Sequence, residues 1–120
     1  MANPVTHFQI IAKDPDGVAS FYGRLFGWKV DARNALGYRR ISTGNGRGID
    51  GGIWPAPPEA GTFVQLFVEV EDIDETLRRA SELGGRVIVP KSTLPDGDTM
   101  AVMIDPSGLS VALVASSRAE

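Results

Sequence analysis

The side chains of this 120-residue sequence that could transfer protons are chiefly its 15 Asp and Glu residues and a single histidine. There is one histidine, His7, and no cysteine, so thiolate nucleophiles, disulfides and thiolate metal sites are excluded. Imidazole is the side chain best suited to carry a proton near neutral pH, which makes His7 a candidate catalytic residue. Asp50 and Glu69 are candidate general bases, because a carboxylate withdrawn from water becomes more basic. The alternative for both carboxylates is solvation at the protein surface.

Other side chains are suited to binding a ligand. Trp54 and Phe67 offer flat rings that stack on a flat ligand, with core packing as the alternative. Arg39 and Arg40 offer guanidinium groups that bind carboxylates in a fork, with surface charge on a sheet as the favoured alternative. The glycine-rich segment 44–48 lacks the Lys-Ser/Thr pair and the following helix of a phosphate loop, so it predicts a hairpin turn.

The composition excludes several classes of protein. An apolar fraction of 42% and a charged fraction of 22% are typical of a folded globular chain. A net charge of −3 with scattered Lys and Arg argues against nucleic-acid binding. The longest apolar stretch, near Phe63–Val70, is interrupted by Gln65 and Glu69 and is too short for a membrane span. The N-terminus shows no signal-peptide pattern, so the expected location is the cytoplasm.

Hydrophobic periodicity and turn residues predict eight strands and two helices. Asp14 and Asp72 are the expected N-caps of the helices, and glycines at 27 and 84–85 are the expected stops. In the first helix, Pro15–Phe26, the expected apolar face comprises Val18, Phe21, Tyr22 and Leu25. The predicted strands are Val5–Ala12, Trp28–Ala32, Tyr38–Thr43, Gly48–Trp54, Phe63–Glu71, Arg86–Val89, Thr99–Ile104 and Leu109–Val114.

The order strand–helix–three strands occurs twice. A gap-free shift of 58 residues, from His7 to Gln65, also places Asp14 on Asp72. Coincident caps, helix stops and strands indicate an internal duplication. We therefore expect one domain of two βαβββ modules, residues 1–54 and 62–115, joined by a proline-rich linker at 55–61.

This organisation resembles the vicinal oxygen chelate superfamily, which includes glyoxalase I, bleomycin-resistance proteins, fosfomycin-resistance enzymes and extradiol dioxygenases. The resemblance rests on Phe-Tyr-Gly-Arg-Leu-Phe-Gly-Trp at 21–28 and Asp-Pro-Ser-Gly at 105–108, and it covers nearly the whole chain. It implies an α+β glyoxalase-like fold in which paired curved sheets enclose a cavity. It also implies a homodimer, because single-chain members usually pair.

The resemblance further implies a divalent metal held by the first and fourth strands of each module. The corresponding positions are His7, Gly52, Gln65 and Ala112. His7 and Gln65 fit the family pattern, whereas Gly52 and Ala112 have no donor atom where the family usually has glutamate. A catalytic metal site needs about three protein ligands, so neither a metal nor another cofactor is expected. Asp50 is the residual alternative ligand, if the strand register is shifted by two.

Strand alternation predicts which side chains line the cavity. The expected inward-facing set consists of Ser110 and the apolar or small residues Ile11, Gly52, Ala112 and Val114, together with His7, Gln9, Asp50, Trp54, Gln65, Phe67 and Glu69. The third strand is ambiguous, because Tyr38 and Arg40 point to one face while Arg39 and Ile41 point to the other.

These observations leave three functions open. The first is a metal-free protein that binds a small, aromatic or drug-like molecule, as bleomycin-resistance-type members do. The second is a metal-dependent lyase, isomerase or dioxygenase of the glyoxalase type. The third is a metal-independent enzyme that transfers protons through His7 or a cavity carboxylate such as Glu69. The missing metal-ligating carboxylates favour the first function over the second.

Overall fold

The computed structural model describes residues 2–33, 37–44 and 46–115. The elements run in the order β1 (Val5–Ala12), α1 (Pro15–Phe26), β2 (Lys29–Asp31), β3 (Arg39–Ser42), β4 (Gly51–Pro55), β5 (Phe63–Glu69), α2 (Ile73–Glu82), β6 (Arg86–Thr93), β7 (Thr99–Ile104) and β8 (Ser110–Ala115). The predicted α+β class with two βαβββ modules is confirmed. Within the described ranges, no helix combines the length and the apolar character needed to cross a membrane.

The contacts divide the described chain into two compact units. Residues 6–65 form the first unit, and residues 66–115 together with 2–5 form the second. In the first unit the strands lie in the order β2-β3-β4-β1, and in the second in the order β5-β8-β7-β6. Each order contains one parallel pair, β1 with β4 and β5 with β8, beside antiparallel neighbours. The same pairing in both units matches the duplication expected from the sequence.

In the first unit, α1 packs on one face of the sheet. The carboxylate of Asp14 accepts a hydrogen bond from the Gly17 backbone N–H, and Gly27 ends the helix in the left-handed region at φ 75°. The helix-side core comprises buried Ile10, Ala12, Ile41 and Ile53, with Val18, Ala19 and Trp28 packed against it. The expected helix face was partly wrong, because Phe21 and Leu25 are each 58% exposed.

In the second unit, α2 covers its sheet in the same way. The carboxylate of Asp72 accepts a hydrogen bond from the Glu75 backbone N–H and so caps the helix. Ile73 and Leu77 pack on a core that also contains Val70 and Leu113. These side chains fix which face of the second sheet is turned toward its helix.

Some strand ends differ from those predicted. β6 continues to Thr93, beyond the expected end at Val89, because it pairs with β7 as far as the Thr93–Thr99 register despite two irregularities. β4 begins only at Gly51. The hairpin turn predicted at 44–48 includes Asn45, which lies outside the described residues.

Candidate functional site

The candidate site lies on the face of the first sheet that is turned away from α1, which we call the helix-free face. Side chains alternate along β1, and Ile10 and Ala12 pack in the helix-side core. His7 and Gln9 therefore belong to the helix-free face. Strand alternation in the sequence likewise predicts that both side chains lie opposite Ile10 and Ala12.

Residues of β4 and β3 join the same face through the strand register. Gln9 is the partner of Gly52 in the parallel β1–β4 pair, and Arg40 is its partner in the antiparallel β3–β4 pair. Trp54 follows two residues after Gly52 and so lies on the same face. The structure thus brings together His7, Gln9, Arg40 and Trp54 from three strands.

The ambiguity of the third strand is resolved by α1. Arg39 forms an ion pair with Asp16 at 2.8 Å, and Ile41 is 2% exposed in the helix-side core. The alternate residues Tyr38 and Arg40 therefore point to the helix-free face. This places a tyrosine in the site that the sequence did not select as a ligand-binding residue.

Tyr38 is the centre of the cluster. Its hydroxyl shares a hydrogen bond of 3.1 Å with His7 Nε2, and its ring lies 5.8 Å from the ring of Trp54. Burial raises the pKa of Tyr38, and the nearby charge of Arg40 only partly opposes this, so the phenol stays protonated at neutral pH.

His7 is held in its neutral form by the same surroundings. Burial is the largest cause that lowers the pKa of His7, and the positive charge of Arg40 lowers it further. The carboxylate of Asp50 acts in the opposite direction and only partly offsets these two effects. His7 and Tyr38 therefore form an uncharged hydrogen-bonded pair near neutral pH.

The Tyr38 ring also explains why position 52 is glycine. A Cβ atom built on Gly52 would overlap the Tyr38 hydroxyl and the adjoining ring carbons. On the opposite face, a Cβ on Gly51 would overlap the Phe8 ring. The backbone of β4 is thus pressed between two aromatic side chains, a close approach that glycine permits.

This arrangement does not fit a resident divalent metal. Of the four family positions, His7 and Gln65 supply an imidazole and an amide, and Gly52 is covered by the Tyr38 phenol. Ala112 is a fully buried methyl group packed with Phe67 in the second unit. Within the part of the chain that the structure describes, no cluster of three histidine, aspartate or glutamate side chains is placed to hold a metal.

The residual metal-ligand candidate is Asp50, and its carboxylate is engaged elsewhere. Oδ1 of Asp50 accepts hydrogen bonds from the backbone N–H of Thr43 at 3.0 Å and from the Thr43 hydroxyl at 3.2 Å. These bonds join the two ends of the β3–β4 connection, because Thr43 directly follows β3 and Asp50 directly precedes β4. Its negative charge still acts on His7 through space.

A pair of amides extends the site along β1. The Gln9 side-chain nitrogen donates a hydrogen bond to Gln65 Oε1 at 3.3 Å, and Gln65 is only 6% exposed. Gln65 therefore contributes a neutral polar group that is largely withdrawn from water.

The remaining predicted site residues, Phe67 and Glu69, lie in the second unit. Phe67 is 9% exposed and packs against Val102 and Ala112, on the side of β5 opposite the core residue Val70. Glu69 is exposed, and its backbone N–H donates to the Pro4 carbonyl at 2.9 Å. An aromatic packing role for Phe67 and a solvated carboxylate for Glu69 are what these surroundings favour.

A groove of about 1180 Å³ in the second unit was not foreseen from the sequence. It runs beside the N-terminal residues 2–4 and α2, and several acidic residues line it. Three of its carboxylates are already engaged: Asp72 caps α2, Glu75 pairs with Arg78, and Asp105 accepts bonds from Ser107 and Leu109. Local structure therefore accounts for three of the carboxylates that line this groove, and the other two, Glu69 and Glu71, are exposed.

Together, the fold and the site define an α+β protein of duplicated βαβββ modules with a polar and aromatic cluster on one sheet face. Residues 5–113 match the family model described as the Glyoxalase/Bleomycin resistance protein/Dioxygenase superfamily. The chain belongs to this superfamily, which confirms the resemblance found in the sequence.

Curated relatives are longer than this chain. The protein named "Putative glyoxylase CFP32" of Mycobacterium bovis (strain ATCC BAA-935 / AF2122/97) is 29% identical over 112 residues, covering 88% of this chain and 42% of that protein. Its namesake from Mycobacterium tuberculosis (strain CDC 1551 / Oshkosh) gives the same values. The chain therefore spans about two fifths of the length of these relatives.

Solved structures share the fold at low sequence identity. Methylmalonyl-CoA epimerase from Mycobacterium tuberculosis superposes with a TM-score of 0.66 at 17% identity, covering 95% of this chain and 88% of that chain. A hypothetical protein from Bacillus halodurans C-125 gives a TM-score of 0.71 at 14% identity, and the match covers 100% of this chain and 99% of that chain. A methylmalonyl-CoA epimerase in complex with methylmalonyl-CoA and NH4+ gives a TM-score of 0.65 at 18% sequence identity. This match covers 100% of this chain and 99% of that chain. At these identities the likeness establishes the fold alone.

Proposed function

We propose that the chain is a glyoxalase/bleomycin-resistance-like protein that binds a small organic molecule at the helix-free face without a divalent metal. One observation carries the proposal. The Tyr38 phenol covers Gly52, a family metal position, and is hydrogen-bonded to His7, another of those positions. A hydrogen-bonded pair of side chains thus takes the place of a metal-ligand pair.

The surroundings of this pair suit ligand binding. Small-molecule sites combine apolar and aromatic walls with a few polar groups that fix orientation. The helix-free face supplies the rings of Tyr38 and Trp54, the amides of Gln9 and Gln65, and the imidazole of His7. The structure of an epimerase with bound methylmalonyl-CoA supports small-molecule binding as a use of this fold.

A second candidate function is metal-independent proton transfer, and the His7–Tyr38 hydrogen bond favours it. A neutral imidazole accepts a proton and a protonated phenol donates one, which are the two roles that general acid–base catalysis requires. Glu69 remains a predicted base, with its carboxylate exposed in the second unit. A metal-dependent lyase, isomerase or dioxygenase is the least favoured function, because the donor set lacks a carboxylate.

Untagged protein purified without chelators provides the test. Native mass spectrometry is expected to show a retained organic molecule or binding from a metabolite library, and elemental analysis less than stoichiometric metal. Trp54→Leu is expected to weaken binding, whereas Phe21→Leu, on the exposed face of α1, serves as the matched control. One equivalent of zinc, nickel, iron or manganese bound at His7 would contradict the proposal. Turnover of a bound molecule that is lost in His7→Gln would establish the second candidate instead.

We also propose that the chain forms a homodimer in the cytoplasm. Large apolar side chains are exposed on β6, at Val87, Ile88 and Val89. β6 is the outermost strand of the second sheet order, and an unpaired edge with apolar residues is normally covered by a partner. Closed two-fold pairing is the commonest way to cover such an edge.

A further inference from the structure

The helix-free face carries an arginine whose neighbouring carboxylates are already engaged. In the first unit, Arg33 binds Asp31 and Arg39 binds Asp16. The side chain of Arg40 forms neither a hydrogen bond nor an ion pair with any residue that the structure describes, although its backbone lies between β2 and β4. Arg39 and Arg40 are adjacent in sequence and lie on opposite faces of β3, so only Arg39 reaches the acidic residue on α1.

The first carboxylate near Arg40 belongs to Asp31, its cross-strand partner in β2. Both carboxylate oxygens of Asp31 accept hydrogen bonds from Arg33, at 3.0 Å from Nε and 3.2 Å from Nη2. The hydrogen bonds of Asp31 thus go to Arg33, and the Arg40 charge acts on this carboxylate only through space.

The second carboxylate belongs to Asp50, whose Oδ1 is held by Thr43. Its charge and that of Arg40 both act on His7, and Arg40 has the larger effect. The remaining polar groups of the face, His7, Tyr38 and the two amides, carry no formal charge near neutral pH. The positive charge of Arg40 is thus available to a ligand.

An aromatic surface lies within reach of this charge. Arg40 stands opposite Gly52, which has no side chain of its own and is covered by the Tyr38 ring, so Arg40 is flanked by an aromatic surface. Trp54 is two residues further along β4, which is about 7 Å along the strand on the same face. Trp54 is 38% exposed, and its indole packs against the Tyr38 ring, which restricts its orientation.

We propose that the ligand is a flat aromatic carboxylate whose anionic group binds Arg40 and whose ring stacks on Trp54. This inference rests on the proposed binding function and specifies the chemical class of its ligand. A guanidinium binds a carboxylate through two parallel hydrogen bonds, and an aromatic ring supplies the apolar contact area. The exposed guanidinium of Arg40 selects for a negatively charged ligand, and Trp54 selects for a flat one.

The test uses three probes and isothermal titration calorimetry with the full chain. The probes are 2-naphthoate, its neutral analogue 2-naphthamide, and cyclohexanecarboxylate, which has the charge without the aromatic ring. We expect 2-naphthoate to bind most tightly and to shift the Trp54 indole N–H resonance. Arg40→Gln is expected to lower the affinity for 2-naphthoate by about tenfold or more and to leave the affinity for 2-naphthamide unchanged.

Arg39→Gln is the matched control, because it removes a guanidinium from the adjacent residue on the opposite sheet face. It is expected to bind 2-naphthoate as the unmodified protein does. Should Arg40→Gln fail to fold, Arg40→Lys and a salt series on the unmodified protein replace it. Added salt is expected to weaken the binding of 2-naphthoate and not that of 2-naphthamide.

Equal affinity for 2-naphthoate and 2-naphthamide would overturn the anionic class while leaving the binding function intact. Equal losses of affinity for 2-naphthoate in Arg40→Gln and Arg39→Gln would also overturn the anionic class. If neither probe binds up to about 10 mM, the ligand class is wrong. If, in addition, the purified protein retains and binds no organic molecule, the proposed function fails as well.

Discussion

The hydroxyl of Tyr38 lies 3.1 Å from His7 Nε2, and the same phenol ring covers the bare backbone of Gly52. Two features of the site follow from this relationship. Position 52 has to be glycine for Tyr38 to reach His7, and His7 has a protein partner where the superfamily pattern would give it a metal.

The first prediction concerns the space above Gly52. Gly52→Ala is expected to lower the free energy of unfolding by about 1–3 kcal/mol, because its methyl group must displace the Tyr38 phenol. Chemical denaturation measures the change. In a Tyr38→Ala background the same substitution is expected to lower the free energy of unfolding by clearly less, because the obstructing ring is absent.

Gly61→Ala serves as the control for this cycle, because a Cβ at Gly61 meets no atom within 4 Å and its φ lies outside the left-handed region. It is expected to leave stability nearly unchanged. An equal cost of Gly52→Ala in the presence and absence of Tyr38 would show that the phenol does not occupy this space in solution.

The second prediction concerns the charges that act on His7. As the chain has one histidine, its imidazole resonance can be followed directly in an NMR titration. The pKa of His7 is expected to lie below its usual value, mainly because of burial. Arg40→Gln is expected to raise this pKa, and Asp50→Asn is expected to lower it further. Shifts in the same direction for both variants would refute the described electrostatics.

The third prediction concerns stability against pH. Because the pKa of folded His7 is lowered, the unfolded chain binds more protons below its own imidazole pKa of about 6.5. The free energy of unfolding should therefore decrease as the pH falls through that value. His7→Gln is expected to show a smaller decrease between about pH 7.5 and pH 5.

The measurement stays above about pH 5, because the pKa values of Asp31, Glu75 and Asp105 are lowered as well and these carboxylates titrate at more acidic pH. Identical pH profiles for the unmodified protein and His7→Gln would contradict the lowered pKa of His7.

The fourth prediction concerns assembly through the edge of the second sheet. Light scattering is expected to give twice the 12.8 kDa mass of one chain. Ile88→Lys, on the outermost strand β6, should weaken the dimer because it places a charge on the exposed apolar edge. Phe21→Lys, on α1, controls for the loss of an exposed apolar residue elsewhere. A monomer at tens of micromolar, or equal effects of the two variants, would count against edge pairing.

Local signals in the sequence were sufficient for much of the fold. The bounds of β1 and α1 were predicted correctly, since Asp14 and Gly27 mark the helix ends through contacts within a few residues. Strand alternation also placed His7 and Gln9 correctly opposite the helix-side core. Both depend on geometry that a short segment carries by itself.

Features that depend on distant partners were not predictable in this way. The direction of Tyr38 depends on its hydrogen bond to His7, 31 residues away in β1. The only local hint was the Gly51–Gly52 pair, which marks a close approach without naming the group that approaches. The exposure of Phe21 and Leu25 and the length of β6 likewise depend on packing and pairing between elements.

The most direct test of the account is a titration of chelator-treated, dialysed protein with Mn²⁺ and Co²⁺, observed at the single histidine by NMR. We expect neither ion to broaden or shift the His7 resonances at stoichiometric concentration, because Tyr38 occupies the hydrogen-bonding position at Nε2 and Gly52 offers no ligand. Saturable paramagnetic broadening of His7 at one equivalent of metal would contradict it.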